Sequence, residues 1–317
     1  MDVEGQFSQA SAWPFKNFGE KHDLRNESMH LYKITIAELI RTEVIIMSTE
    51  DLVNLANLAK RSYSPVPFKL KGQFDRHGVV LHDREDEFGS RSRLKAITET
   101  LGNTALGEVY DLGGNAGYFS LELCGQGLAK RATVFDTSEE LLELGRQMAN
   151  ATSLGDQVHF LNQPIDLDFI KTMPAVDTVI CLNLLHHAGI LFDVETVRKM
   201  GWETYLYHCL VAFQQKCNVL IFGVGLKGKK PTNWPIAPFR RARKIVSVAE
   251  RAGWAVVYDA NVLEIARLGV RKADNSRKKF RFKELVNGLS ESTPLVARLK
   301  NKSSGKLGDY HLYILRN

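Results

Sequence analysis

Val109-Tyr110-Asp111-Leu112-Gly113-Gly114-Asn115-Ala116-Gly117-Tyr118-Phe119-Ser120 reads as a buried strand, a glycine turn and the first turn of a helix. Val109 and Leu112 suit a strand packed on both faces. Gly113, Gly114 and Gly117 supply backbone freedom and close approach where the chain reverses. The turn leaves the amides of a helix N-terminus aimed at whatever binds there.

A dinucleotide is the first candidate ligand, but the spacing is Asp-x-Gly-Gly-x-x-Gly, with an acid two residues before the first glycine. A carboxylate at that place repels a pyrophosphate and attracts a cation, such as the ammonium group that S-adenosylmethionine carries beside its sulfonium. The stretch resembles motif I of the class I S-adenosylmethionine-dependent methyltransferases, in which an acid precedes a Gly-x-Gly-x-Gly-like turn. Asn115 stands where the middle glycine is usual, and the run is close to the Asp-x-Gly-Cys-x-x-Gly-Tyr-x-Ser form of that family. The resemblance covers roughly residues 91 to 317. It implies a Rossmann-like α/β fold with a doubly wound, mostly parallel seven-stranded sheet, a C-terminal antiparallel hairpin strand and a helical N-terminal appendage. It also implies S-adenosyl-L-methionine as cofactor, with Asp111, Gly113, Gly114, Asn115, Gly117 and Tyr118 beside it.

Downstream, Ala132 to Asp136 reads as a second buried strand ending in an acid. Thr137 offers an N-cap, with Glu140 completing a capping box for a helix to Ala151. A carboxylate accepts two hydrogen bonds and ribose presents two neighbouring hydroxyls, so Asp136 suits a bidentate clamp on the sugar. The resemblance gives the acid at this strand end the same role, with Thr137 next to it. Gln157 to Leu161 is the third strand, and by resemblance the Asn162–Asp166 segment meets the adenine amino group through Asp166, with Gln163 competing. A helix before motif I crosses the cofactor mouth in this family, so Arg91 or Arg93 is placed to hold the methionine carboxylate, with an exposed helix start as the plainer reading.

Val176 to Leu182 is the fourth strand and runs into Asn183-Leu184-Leu185-His186-His187, which brings the chain back to the ligand edge, with Asn183 expected at the cofactor. Imidazole has an unperturbed pKa of about 6.5, so it can take a proton from a hydroxyl that attacks a methyl group. His186 and His187 are therefore the candidate bases, and the sequence does not choose between them. Adjacent residues at a strand end point apart, and no ligand-spaced cluster supports them, so no metal is expected.

Asp193 to Gln215 reads as one long helix, Asn218 to Phe222 as the fifth strand, and Phe239 to Ala252 as a helix. Gly223 to Gly228 matches Gly-x-Gly-x-x-Gly by letter, but Lys229-Lys230-Pro231 follows where a phosphate-binding helix would begin. Lys227 to Pro238 reads instead as a loop over the crevice. Ala255 to Asp259 and Tyr310 to Leu315 are the sixth and seventh strands, separated by a long insertion at about 262–307 that holds most of the excess positive charge. A solvated basic face and an anion-binding surface both account for it. Met47 to Leu52 reads like a natural beginning, with Ser48 or Thr49 as a helix cap, so residues 1 to 46 read either as an extension of unknown role or as an artefact of an upstream start codon. Residues 47 to 105 form a helical cap region and 106 to 317 the cofactor-binding domain.

The chain has 317 residues, 44% hydrophobic and 25% charged, which is ordinary globular composition with enough length for a sizeable core. Its net charge of +6 points weakly to an anionic partner. Cys124, Cys181, Cys209 and Cys217 are scattered, as free thiols in a reducing, cytoplasmic compartment would be. Ala175 to Phe192 is the most apolar run, yet Asp177, Asn183 and both histidines interrupt it, and neither a membrane span nor a signal peptide is expected.

The first functional expectation is O-methylation of a small molecule or a sugar or polysaccharide unit, anionic ones included. It rests on the Leu-His-His strand end and on similarity to bacterial polysaccharide-modifying methyltransferases with the same Gly-Tyr-Phe-Ser and His-His features. The alternatives are a tRNA or rRNA methyltransferase that uses the basic insertion to bind nucleic acid, and a non-catalytic binding subunit. An Asn-Pro-Pro-Tyr-like motif and a recognisable RNA-binding module are both missing from the sequence.

Overall fold

The computed structural model describes residues 47–60, 62, 65–81, 89–225, 238–270 and 310–317. Among these residues seven strands form a single sheet in the order β3-β2-β1-β4-β5-β7-β6. They are β1 (Glu108–Leu112), β2 (Arg131–Asp136), β3 (Val158–Asn162), β4 (Thr178–Leu182), β5 (Val219–Gly225), β6 (Ala255–Asn261) and β7 (Tyr310–Arg316). The first five run parallel, and β7 inserts antiparallel between β5 and β6. The expected doubly wound sheet with its antiparallel terminal strand is therefore present.

Alternation along the central strands explains why both faces are covered. Ile180, Leu182, Ile221, Leu312 and Ile314 face one hydrophobic cluster, whereas Val179, Cys181, Leu220, Phe222, Tyr313 and Leu315 face the other. Period-two burial on two sides is what a central strand in an α/β sheet requires. The first face is packed by α3 (Ser90–Leu101), α4 (Tyr118–Gly125), α5 (Glu139–Ala151) and α10 (Val262–Leu268). Residues of α1 (Thr49–Ala59) and α2 (Phe68–Arg76) join the same cluster through Leu52, Leu55, Leu70 and Phe74. The second face is packed by α6 (Leu167–Thr172), α8 (Trp202–Gln214) and α9 (Pro238–Arg251). Between α6 and α8 lies α7 (Val194–Met200).

Ser48 caps α1, accepting from the Asp51 amide at 3.1 Å. All four cysteines are buried and free. Among the described residues no helix is long and apolar enough to cross a membrane.

Several expectations are corrected. The long helix over 193–215 is two helices, α7 and α8, because Gly201 at φ +79° breaks the ladder where the apolar pattern carries on. Thr137 does not cap α5: Ser138 takes the N-cap position with no side-chain bond, and Oδ1 of Asp136 accepts from the amides of Thr137 and Ser138 at 2.8 and 3.0 Å. The insertion after β6 opens with a short helix, α10, capped by Asn261, whose Oδ1 accepts from the Leu263 amide at 3.0 Å. The extension over 1–46, residues 82–88, the loop from Lys227 and the insertion over 271–309 lie outside the described residues.

Candidate functional site

The C-terminal ends of β1, β2 and β4 open onto one cavity of about 370 Å³, within the range of small-molecule sites. The glycine turn forms its floor. Gly113 has φ +70° and Asn115 has φ +56°, backbone that L side chains rarely adopt. A Cβ on Gly114 would stand 2.7 Å from Cγ of Asp111 and from Cγ1 of Val134, so that position accepts glycine alone. Gly117 has φ +74° and packs under Phe160. The amides of Gly113 and Gly114 donate to the Phe135 carbonyl at 2.8 and 3.1 Å, and that of Gly117 to the Gly114 carbonyl at 2.9 Å. These donors hold the turn together and are not aimed at a ligand, which corrects the expectation for the turn.

Two acids flank the turn. Asp111 is 2% exposed, and Ser120 donates its hydroxyl to Oδ2 at 2.9 Å. Burial, with a contribution from the nearby Asp136 carboxylate, pushes the Asp111 carboxyl up to about 7. Asp136 uses Oδ1 for the start of α5 and accepts the Asn115 amide on Oδ2 at 2.9 Å. A carboxylate offers about four acceptor directions, so one on Oδ2 is left for a ligand hydroxyl. A two-oxygen clamp would have to displace backbone donors.

The opposite wall carries a buried cation. Arg93 of α3 is 2% exposed and lines the cavity, while Arg91 does not. The amide oxygen of Asn183, turned toward Arg93, accepts from both terminal guanidinium nitrogens at 2.9 and 3.2 Å. Asn183 sits at φ +62° just past β4. The guanidinium also lies 5.4 Å over the ring of Tyr310, the first residue of β7. Helix periodicity alone did not separate Arg91 from Arg93, because either could have been the inward residue.

Of the other residues expected at the cofactor, Thr137 and Asn183 line the cavity, whereas Gly117, Tyr118 and Asp166 stand outside the lining. Oδ1 of Asp166 accepts from the Phe169 amide at 2.7 Å and caps α6. Gln163, Pro164 and Ile165 take the wall in its place. Tyr118 is buried against Phe119, with ring centroids 5.3 Å apart, and Phe119 reaches the cavity.

The histidines are not on a strand end that points them apart. Leu185–His187 is a single 3-10 turn, and the two rings lie 4.1 Å apart. His187 is half-buried and lines the cavity. His186 lies behind it, outside the lining, and its Nδ1 accepts from the Gly225 amide at 3.4 Å. Burial, the His187 ring and the Arg93 charge bring His186 down to about 3, and burial also lowers His187. Among the described residues no group of three His, Cys, Asp or Glu side chains is placed to hold a metal ion.

The antiparallel β7 between β5 and β6, the glycine turn after β1 and the acids at the ends of β1 and β2 meet at one edge of one sheet. The fold is the Rossmann-like, mostly parallel sheet with an antiparallel terminal strand that the resemblance to class I methyltransferases implies. No family model matches the sequence, and no curated protein matches it. Solved structures to which the chain is similar include WbdD, described as a bifunctional kinase-methyltransferase, at 19% identity over 66% of this chain and 43% of that one, with a TM-score of 0.43. The StiE O-MT segment 942–1257 is 11% identical over 84% of this chain and 90% of its own, with a TM-score of 0.44. The cyclase SpnF is 14% identical over 71% and 80%, with a TM-score of 0.41. The chain spans less than half the length of the WbdD chains it matches.

Proposed function

We propose that the protein binds S-adenosyl-L-methionine in the cavity at the glycine turn and methylates a hydroxyl of a small acceptor, with His187 as the base. The observation that supports this reading is the distribution of charge around one cavity: the acids Asp111 and Asp136 on the turn side, the buried Arg93 on the α3 side, and His187 on the wall after β4.

The residues fit the cofactor by chemical complementarity. Asp111 suits the ammonium group, Oδ2 of Asp136 a ribose hydroxyl, and Arg93 the carboxylate, with Ile165 and Leu184 as apolar walls. When bound, S-adenosylmethionine supplies a methyl group already activated by its sulfonium. The protein therefore contributes alignment and a proton acceptor. His187 meets both demands on a base: it reaches the cavity, and its lowered pKa keeps it neutral near pH 7. The ring of His186 backs it and is too weakly basic to compete. The acceptor is a small molecule or a sugar unit, as the resemblance carried by Leu185-His186-His187 implies.

Calorimetric titration with S-adenosylhomocysteine, with NAD as the control, tests the cofactor. Binding in the micromolar range, worth about 8 kcal/mol, with no response to NAD is the expected result. Equal or preferential binding of NAD would overturn the reading.

A further inference from the structure

Isolated exposed leucines need no explanation in a folded protein. Leu191 is different, because it is 72% exposed, belongs to a tightly determined turn and lines the cavity beside His187. The amides of Ile190 and Leu191 both donate to the His187 carbonyl at 3.0 Å, and that of Gly189 donates to the Phe192 carbonyl at 2.7 Å. A bridge joins Ala188 to Phe192. Both ends of the segment are pinned. The Trp202 indole donates to the Leu185 carbonyl at 3.1 Å, and Oδ2 of Asp193, at φ +51°, accepts from the Tyr205 hydroxyl at 2.6 Å and the Leu167 amide at 2.8 Å. The structure thus spends left-handed backbone at Gly189 and Asp193 to hold Ile190, 42% exposed, and Leu191 outward next to the proposed base.

We infer that Ile190 and Leu191 form a fixed apolar lip that selects a hydroxyl acceptor bearing an alkyl or aryl portion close to the hydroxyl. The inference rests on the methyl-transfer reading and narrows it. A bare polar sugar leaves both side chains in water, whereas a lipid-linked or aryl-linked hydroxyl covers them while its oxygen reaches His187. The lip is part of the same turn as the base, so its distance from the reacting oxygen is set by backbone bonds and not by a mobile loop.

The test uses the full chain saturated with S-adenosylhomocysteine and titrated with 4-methyl-, 4-ethyl-, 4-propyl- and 4-butylphenol. Affinity is expected to rise up to about fourfold per added methylene, the value of a fully buried CH₂. In an Ile190→Ser, Leu191→Ser double variant saturated with S-adenosylhomocysteine the increment should fall below about 1.5-fold per methylene. Both positions are exposed, so the variant should fold normally. A flat series in the parent, or an unchanged series in the variant, overturns the lip. A loss of S-adenosylhomocysteine affinity in the variant also overturns it, by making Leu191 a cover for the cofactor. Failure of S-adenosylhomocysteine to bind the parent protein instead sinks the methyl-transfer reading on which the lip depends.

Discussion

The backbone amide of Asn115 donates to Oδ2 of Asp136 at 2.9 Å, so the acid that ends β2 also fixes the left-handed residue at the centre of the glycine turn. Asp136 therefore has two duties, one structural and one toward the ligand. Asp136→Ala should weaken S-adenosylhomocysteine binding by at least about tenfold and lower folding stability by about 1–3 kcal/mol, since three backbone donors lose their acceptor. Asp136→Asn keeps one acceptor oxygen and should fall between the two. Calorimetry and urea unfolding measure both effects, and unchanged affinity in Asp136→Ala would remove the ribose assignment.

Asp111 should make stability and cofactor affinity respond to pH in opposite senses. Its carboxyl lies at about 7 in the folded protein against 3.8 as the ordinary value, because burial disfavours the charge. Across that window the folded chain holds a proton that the unfolded chain has released, so the free protein loses stability as pH rises from 3.8 toward about 7. Asp111→Asn should remove this loss and stabilise the free protein at pH 8 by on the order of 2–4 kcal/mol, with little effect at pH 4. A cationic ammonium partner needs the ionised form. Parental affinity for S-adenosylhomocysteine should therefore fall as pH drops below about 7, by up to about tenfold per unit, with close to one proton released on binding at pH 6. Calorimetry in buffers of different ionisation enthalpy counts that proton, and a count of zero would take Asp111 away from the ligand.

The sheet was legible because its signals are local and periodic. Val109 to Leu112, Ala132 to Asp136 and Val176 to Leu182 are apolar runs that end in glycine, acid or asparagine at the ligand edge, and each lies within a residue or two of the observed strand. The terminal antiparallel strand was legible through resemblance, not periodicity. Side-chain direction across tertiary gaps was not legible. Arg91 and Arg93 share a helix start, and only packing of α3 on the sheet turns Arg93 inward. Asp166 looked like a ligand residue, yet the helix after it recruits its carboxylate as a cap. The two histidines looked alike until the 3-10 turn brought their rings together and left only His187 lining the cavity. The break at Gly201 was hidden because apolar spacing continues through it.

Two glycines with nearly the same backbone separate strain from packing. Gly117 has φ +74°, and a Cβ there would stand 2.8 Å from Cε1 of Phe160 and 3.1 Å from Cγ2 of Val134. Gly127 has φ +71°, with nothing within 4 Å of its Cβ position. Gly127→Ala should cost about 1–2 kcal/mol, the left-handed penalty alone. Gly117→Ala should cost about 2–4 kcal/mol, as overpacking against the aromatic ring adds to the same penalty. Chemical denaturation of both variants measures the difference, and equal losses would mean that Phe160 moves aside freely.

Substitution at the two histidines should divide their roles. His187→Ala should leave S-adenosylhomocysteine affinity within about threefold of the parent and lower kcat for an oxygen acceptor by about 10²–10⁴-fold, the span of a lost general base. His186→Ala removes the ring tilted against His187 and the acceptor of the Gly225 amide, so it should cost stability and a smaller share of kcat. The pH profile distinguishes a base from a prop. His187 must be neutral to accept a proton, so parental kcat should fall as pH drops through its pKa, which burial places below the ordinary histidine value. The acid limb of that profile should disappear in His187→Ala and persist, displaced, in His186→Ala, because the proton acceptor is retained and its neighbour is gone. If the limb survives in His187→Ala, another group takes the proton, and the base assignment is lost even if the variant is slow.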